Sequence, residues 1–165
     1  MQTPVFRLWL WSSRLLFIGP SFDAERHRHH AAQICVGLDA PLRMRGDDDA
    51  DWRRARGFHV PPDLPHRFDA DGTPCALLLL EAQGRECARA CRHHGEQDIA
   101  GFEPDPALLT ALHELAAHGG DALSADTVCT GLMGGRAEEH STAVDPRLTR
   151  VMHWVDANLH TELRL

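Results

Sequence analysis

Arg26-His27-Arg28-His29-His30-Ala31-Ala32-Gln33-Ile34-Cys35-Val36-Gly37 is the most informative run in the chain, and Phe58-His59-Val60-Pro61-Pro62-Asp63-Leu64-Pro65-His66 is its counterpart. Read as a strand, the first run alternates. His27, His29, Ala31, Gln33 and Cys35 fall on one face; His30, Ala32, Ile34, Val36 and Leu38 fall on the other. Both faces suit a core, and a one-residue shift of register would exchange them. In the second run the Pro-Pro-Asp-x-Pro turn delivers His66 to the start of the next strand, because proline presets φ and cannot extend a hydrogen-bonded ladder. Strands that carry histidine at loop junctions suit a small β-barrel holding a ligand or metal between two sheets.

Short strands flank both runs. Phe6 to Trp11 and Leu15 to Ile18 are split by Ser12-Ser13-Arg14, as in an edge hairpin. The histidine strand turns at Asp39-Ala40-Pro41 and returns through Leu42 to Arg45. Asp47-Asp48-Asp49 lacks the ligand spacing of a calcium loop and is expected to be a solvated hairpin tip. Trp52 to Arg56 begins another strand, Gly57 to Val60 runs inward, and Asp69-Ala70-Asp71-Gly72 is a turn. The unbroken apolar run from Cys75 to Leu80 predicts a buried strand. From Gly84 the chain favours helix. Asp105-Pro106 caps a second helix with an apolar stripe of Leu108, Leu109, Leu112, Leu115 and Ala116. A third is expected from Ser124, as cap, to Met133. Arg136 to Val144 reads as a linker. Asp145-Pro146 opens a last helix with a stripe of Leu148, Val151, Met152, Val155 and Leu159.

These motifs resemble two related families. His27-x-His29 with Gln33, and Pro61-x-Asp63-x-x-His66, are similar to the two cupin motifs, although Gln33 stands where cupin enzymes usually place a glutamate ligand. The wider pattern, with the tail DPRLTRVMHWVDANLHTELRL, resembles the sensor domain of bacterial AraC-family transcription regulators, followed by the first helix of their helix-turn-helix. The resemblance implies a mainly β fold with C-terminal helices. A cupin-like β-barrel of the jelly-roll type would occupy residues 1–82, a helical dimerisation segment 83–135, a linker 136–144 and a truncated DNA-binding domain 145–165. It implies a ligand-sensing homodimer that is not an enzyme, takes a small-molecule effector and meets DNA only through the missing module. Gln33, Cys35, His66 and Phe68 are the expected ligand contacts. His27, His29 and His66 are the candidate metal ligands, for zinc, iron or nickel. The alternative is a metal-dependent cupin enzyme, a dioxygenase or isomerase, or a metal-responsive regulator using the same three histidines.

Composition narrows the field. The 165 residues suffice for one domain with a real core. The net charge of -7 argues against this chain itself gripping a phosphate backbone. Five scattered cysteines suggest no disulfide framework, and neither a signal peptide nor a membrane span is evident, so a cytoplasmic location is expected. Cys87-x-x-x-Cys91, with His93 and His94 nearby, could bind zinc or a soft metal, since residues four apart share a helix face; buried free thiols are the plainer reading. No glycine-rich phosphate loop, Gly-x-Ser-x-Gly elbow or His-Glu-x-x-His helix is present, and no catalytic residue is assigned.

Overall fold

Both faces of the strand at Ala31–Gly37 are buried, and that fact organises the molecule. The computed structural model describes residues 6–47 and 50–135. The expectations for Asp48, Asp49, the linker and the last helix lie outside the described residues. The elements run β1 (Arg7–Leu10), β2 (Arg14–Gly19), β3 (Asp23–His27), β4 (Ala31–Gly37), β5 (Leu42–Arg45), β6 (Arg53–Ala55), β7 (Gly57–Val60), β8 (His66–Asp69) and β9 (Cys75–Glu81). Then follow α1 (Arg85–His94), β10 (Ala100–Phe102), α2 (Pro106–His118) and α3 (Ala122–Leu132). Six strands form one sheet in the order β1-β2-β9-β4-β7-β10, and four form the other in the order β3-β8-β5-β6; the paired strands are antiparallel.

Two apolar layers follow from strand alternation. Between the sheets lie Cys35, Met44, Phe58, Val60, Phe68 and Cys75. On the other face of the large sheet, Leu16, Ile34, Val36, Leu78 and Leu80 pack against Ala90 of α1, Leu112 and Leu115 of α2, and Val128 and Leu132 of α3. β9 is therefore apolar from Cys75 to Leu80 because its odd residues face the barrel and its even residues face helices. The same division settles β4: Gln33 and Cys35 belong to the barrel side, Ile34 and Val36 to the helix side.

Three local expectations need correction. The histidine run is two strands, not one: β3 belongs to the small sheet and β4 to the large one, with the break at Arg28-His29-His30. The chain crosses between sheets there. The cap of α3 is Asp121, whose carboxylate accepts from the Ser124 backbone N–H at 2.8 Å; Ser124 lies within the helix. β10 falls inside the stretch expected to be helical and completes the edge of the large sheet beside β7. Asp105 does cap α2, accepting from Ala107 N–H at 2.7 Å with Pro106 in the first turn.

Arg14 locks the layers together. It is 9% exposed, and its guanidinium pairs with Glu86 of α1 and Asp126 of α3 while lying over the Trp11 ring. One β2 side chain thus fixes two helices on the sheet.

Candidate metal centre and adjoining cavity

His27 and His66 are directly opposed across the β3–β8 ladder, so their side chains leave the same face. Their ring centroids are 4.4 Å apart. His29, in the crossing segment, brings its ring to 5.5 Å from His27 and 5.1 Å from His66. The turn that the sequence marks with prolines holds this crossing in place. The Asp63 backbone N–H donates to the His29 carbonyl at 2.9 Å, and His30 Nδ1 lies 2.9 Å from the Asp63 carboxylate. Asp63, at φ 62°, therefore pairs with His30 and ties the two motifs together.

The tautomers can be read from the backbone. His27 Nδ1 is 2.7 Å from the Glu25 carbonyl, His29 Nδ1 2.8 Å from that of Ala31, and His66 Nδ1 2.8 Å from that of Leu64. A carbonyl only accepts, so each Nδ1 carries the hydrogen and donates. Each Nε2 of the neutral ring is then left with a lone pair. This is the way second contacts orient metal-binding imidazoles. One ring nitrogen from each of the three lies within 4.8 Å of one from each of the others.

His66 Nε2 is buried with no hydrogen-bond partner, and His66 is 0% exposed. An unsatisfied buried nitrogen is costly unless something binds it. Burial pushes the His66 pKa down to about 4; the Leu64 carbonyl opposes this, and the neighbouring His27 and His29 reinforce it. The ring is therefore neutral at physiological pH, as a ligand must be. Gln33 Oε1 or its amide nitrogen, which are interchangeable by rotation, sits 3.0 Å from His29 Nε2. With the lone pair on Nε2, the amide nitrogen is the donor. The residues present, three imidazoles with His66 held neutral, fit a divalent first-row ion.

A cavity of about 130 Å³ opens beside the cluster. His27, His29 and Gln33 form its polar end, and Phe22, Phe68, Leu77 and Leu79 its apolar wall. Of the expected ligand contacts, Gln33 and Phe68 line this cavity, and His66 stands against His27 and His29. Cys35 is buried in the interior, where it contacts the Phe58 carbonyl at 3.7 Å and Gln33; burial pushes its thiol up to about 12. Phe22, Leu77 and Leu79 were missed in the sequence. Strand parity alone, counted from Cys75, places the two leucines on the barrel side.

No family model matches this chain, and no curated protein matches it. Solved structures do match. An RmlC-like cupin from Desulfovibrio desulfuricans is 19% identical over 48% of this chain and 82% of its own, with a TM-score of 0.39. The two antiparallel sheets of this chain are similar to the barrel of such cupins. A DMSP lyase from Ruegeria pomeroyi is 16% identical over 50% of this chain and 48% of its own, with a TM-score of 0.38. A variant of Bacillus subtilis oxalate decarboxylase is 16% identical over 45% of this chain and 22% of its own, with a TM-score of 0.36. At these identities the likeness concerns fold alone. The expectation that the chain is not an enzyme is not upheld: His27, His29 and His66 gather beside a cavity that the first two line; of the similar proteins, one is a lyase and one a decarboxylase. Among the described residues, no helix is long and apolar enough to cross a membrane.

Proposed function

We propose that this chain is a metal-dependent cupin enzyme, in which His27, His29 and His66 hold a divalent first-row ion and a small organic substrate enters the adjoining cavity. The observation that carries the reading is the orientation of the rings. Three Nδ1–H groups are each tied to a backbone carbonyl, and the one fully buried Nε2, that of His66, has no partner. A bound ion supplies Lewis acidity toward a substrate oxygen or sulfur.

The chain's own residues divide the remaining work. The Glu25, Ala31 and Leu64 carbonyls hold the tautomers, so no rotation is needed on binding. Gln33 presents an amide beside His29, able to donate to a substrate atom or accept from one. Phe22, Phe68, Leu77 and Leu79 keep water from the apolar side. A cavity of about 130 Å³ admits a molecule of only a few heavy atoms. Dioxygenation and isomerisation are the reaction classes that such a centre serves.

The test is turnover. The protein loaded separately with iron, nickel and zinc is screened for dioxygen uptake and for isomerisation of small carbonyl compounds and thiols. Turnover that disappears with chelator and in His66→Ala supports the enzyme. Tight metal binding without turnover on any substrate would point instead to a metal-responsive sensor built on the same three histidines.

A further inference from the structure

Cys87 and Cys91, four residues apart, share one face of α1 and bring their sulfurs to 3.9 Å. Both are free thiols; Cys87 is 3% exposed and Cys91 is half-buried, so the pair reaches from the helix–sheet layer toward solvent. Of the two histidines that follow, His94 is committed elsewhere. His94 Nε2 lies 2.8 Å from the Leu132 carbonyl, and its ring packs on His59 and Phe102. Among the described residues, the three-histidine cluster is the one group of three or more metal-binding side chains gathered this closely, so the sulfur pair has no third ligand at comparable range.

That count selects the ion. Zinc bound to protein takes four ligands in structural sites and three with water in catalytic ones, and two thiols alone do not provide either. Closed-shell soft ions accept two sulfurs in a two-coordinate arrangement, and soft ligands favour them. We propose that Cys87 and Cys91 form a second, separate metal site, a dithiol chelate for a soft two-coordinate ion of the Cu(I) or Hg(II) type. Binding breaks two S–H bonds, forms two sulfur–metal bonds and releases two protons to solvent, with no change of oxidation state. Burial and the neighbouring Cys91 hold the Cys87 thiol protonated at neutral pH, up to about 12, so hard cations that cannot displace the proton are excluded. The apolar surroundings, Ala90 among them, favour a complex of low net charge, which a dithiolate with such an ion provides.

The experiment uses the full chain. Reduced protein is titrated anaerobically with Cu(I), held in competition with a colorimetric chelator, and separately with Hg(II). Bound metal and released protons are both measured, and N-ethylmaleimide labelling of Cys91 is read by mass spectrometry. The expected result is one equivalent of ion, two protons per ion, and protection of Cys91 from alkylation. Cys91→Ser, at a half-buried position, abolishes the ion uptake and the proton release, whereas His66→Ala leaves ion uptake, proton release and the protection of Cys91 unchanged. Ion binding that survives in Cys91→Ser, or a wild-type chain whose Cys91 stays open to alkylation at saturating Cu(I), overturns the assignment. Protection is measured in the unmodified protein, so a misfolded variant does not blur the result.

Discussion

Acid should unfold this protein earlier than its size suggests, because two histidines are buried neutral. His59 and His66 are each 0% exposed, and burial pushes both pKa values from 6.5 down to about 4. His59 faces His94 under α1, which lowers it further; His66 faces His27 and His29. An unfolded chain takes up protons at these rings near pH 6.5, the folded one only near pH 4. The unfolded state therefore binds more protons across that window, and stability falls as pH falls through it. Each ring loses about 3 kcal/mol, so the pair loses about 6 kcal/mol, comparable to the whole stability of an ordinary domain. Above pH 6.5 these groups contribute no slope.

The assay is urea unfolding of chelator-treated protein at a series of pH values, followed by circular dichroism. Near the middle of the window the slope should approach two protons, about 3 kcal/mol per pH unit. His59→Leu should remove about half of it. The same variant should gain stability at neutral pH, since neither His59 ring nitrogen has a partner to lose. A stability that stays flat between pH 6.5 and 4.5, or an unchanged slope in His59→Leu, would refute the reasoning.

Other perturbations test the parts separately. Arg14→Met should cost about 3–5 kcal/mol in urea unfolding, because it leaves Glu86 and Asp126 without their shared cation in a largely buried place. Gly37→Ala would set a methyl group 2.1 Å from the Ala40 carbonyl oxygen, and a loss of at least ~1–3 kcal/mol is expected in the same assay. Gln33→Glu adds a carboxylate beside His29 and should tighten divalent metal binding by about tenfold or more, measured by chelator competition. A weaker site in that variant would place the ion away from Gln33.

Much of the barrel was legible in the sequence because its punctuation is local. Pro61-Pro62-Asp63 forced the turn before His66, Asp105-Pro106 announced α2, and Ser12-Ser13 split β1 from β2. Parity put Gln33 and Cys35 on one face together, without saying whether that face lines the barrel. Less legible was whatever depends on partners far along the chain. The Arg28-His29-His30 crossing has no glycine or proline to mark it; it becomes visible only when β8 is known to pair with β3 and β9 with β4. Helices packing on the outer face explain why Ile34 and Val36 are buried opposite Gln33, and no pattern in β4 alone distinguishes the two sides. His59 gave no signal, since its burial comes from α1, joined to it through His94. The three metal candidates were named from the resemblance to the cupin motifs, while their tautomers needed the Glu25, Ala31 and Leu64 carbonyls in three dimensions.

Elemental analysis tests the central claim most directly. The protein is purified without chelator, reloaded with zinc, iron or nickel, and compared with a His27→Ala, His66→Ala double variant and with Cys91→Ser. The predicted result is close to one divalent ion per chain, lost in the double variant and kept in Cys91→Ser. A wild-type chain that holds no divalent ion after reloading, or a double variant that keeps it, would contradict the assignment of His27, His29 and His66 as a metal centre.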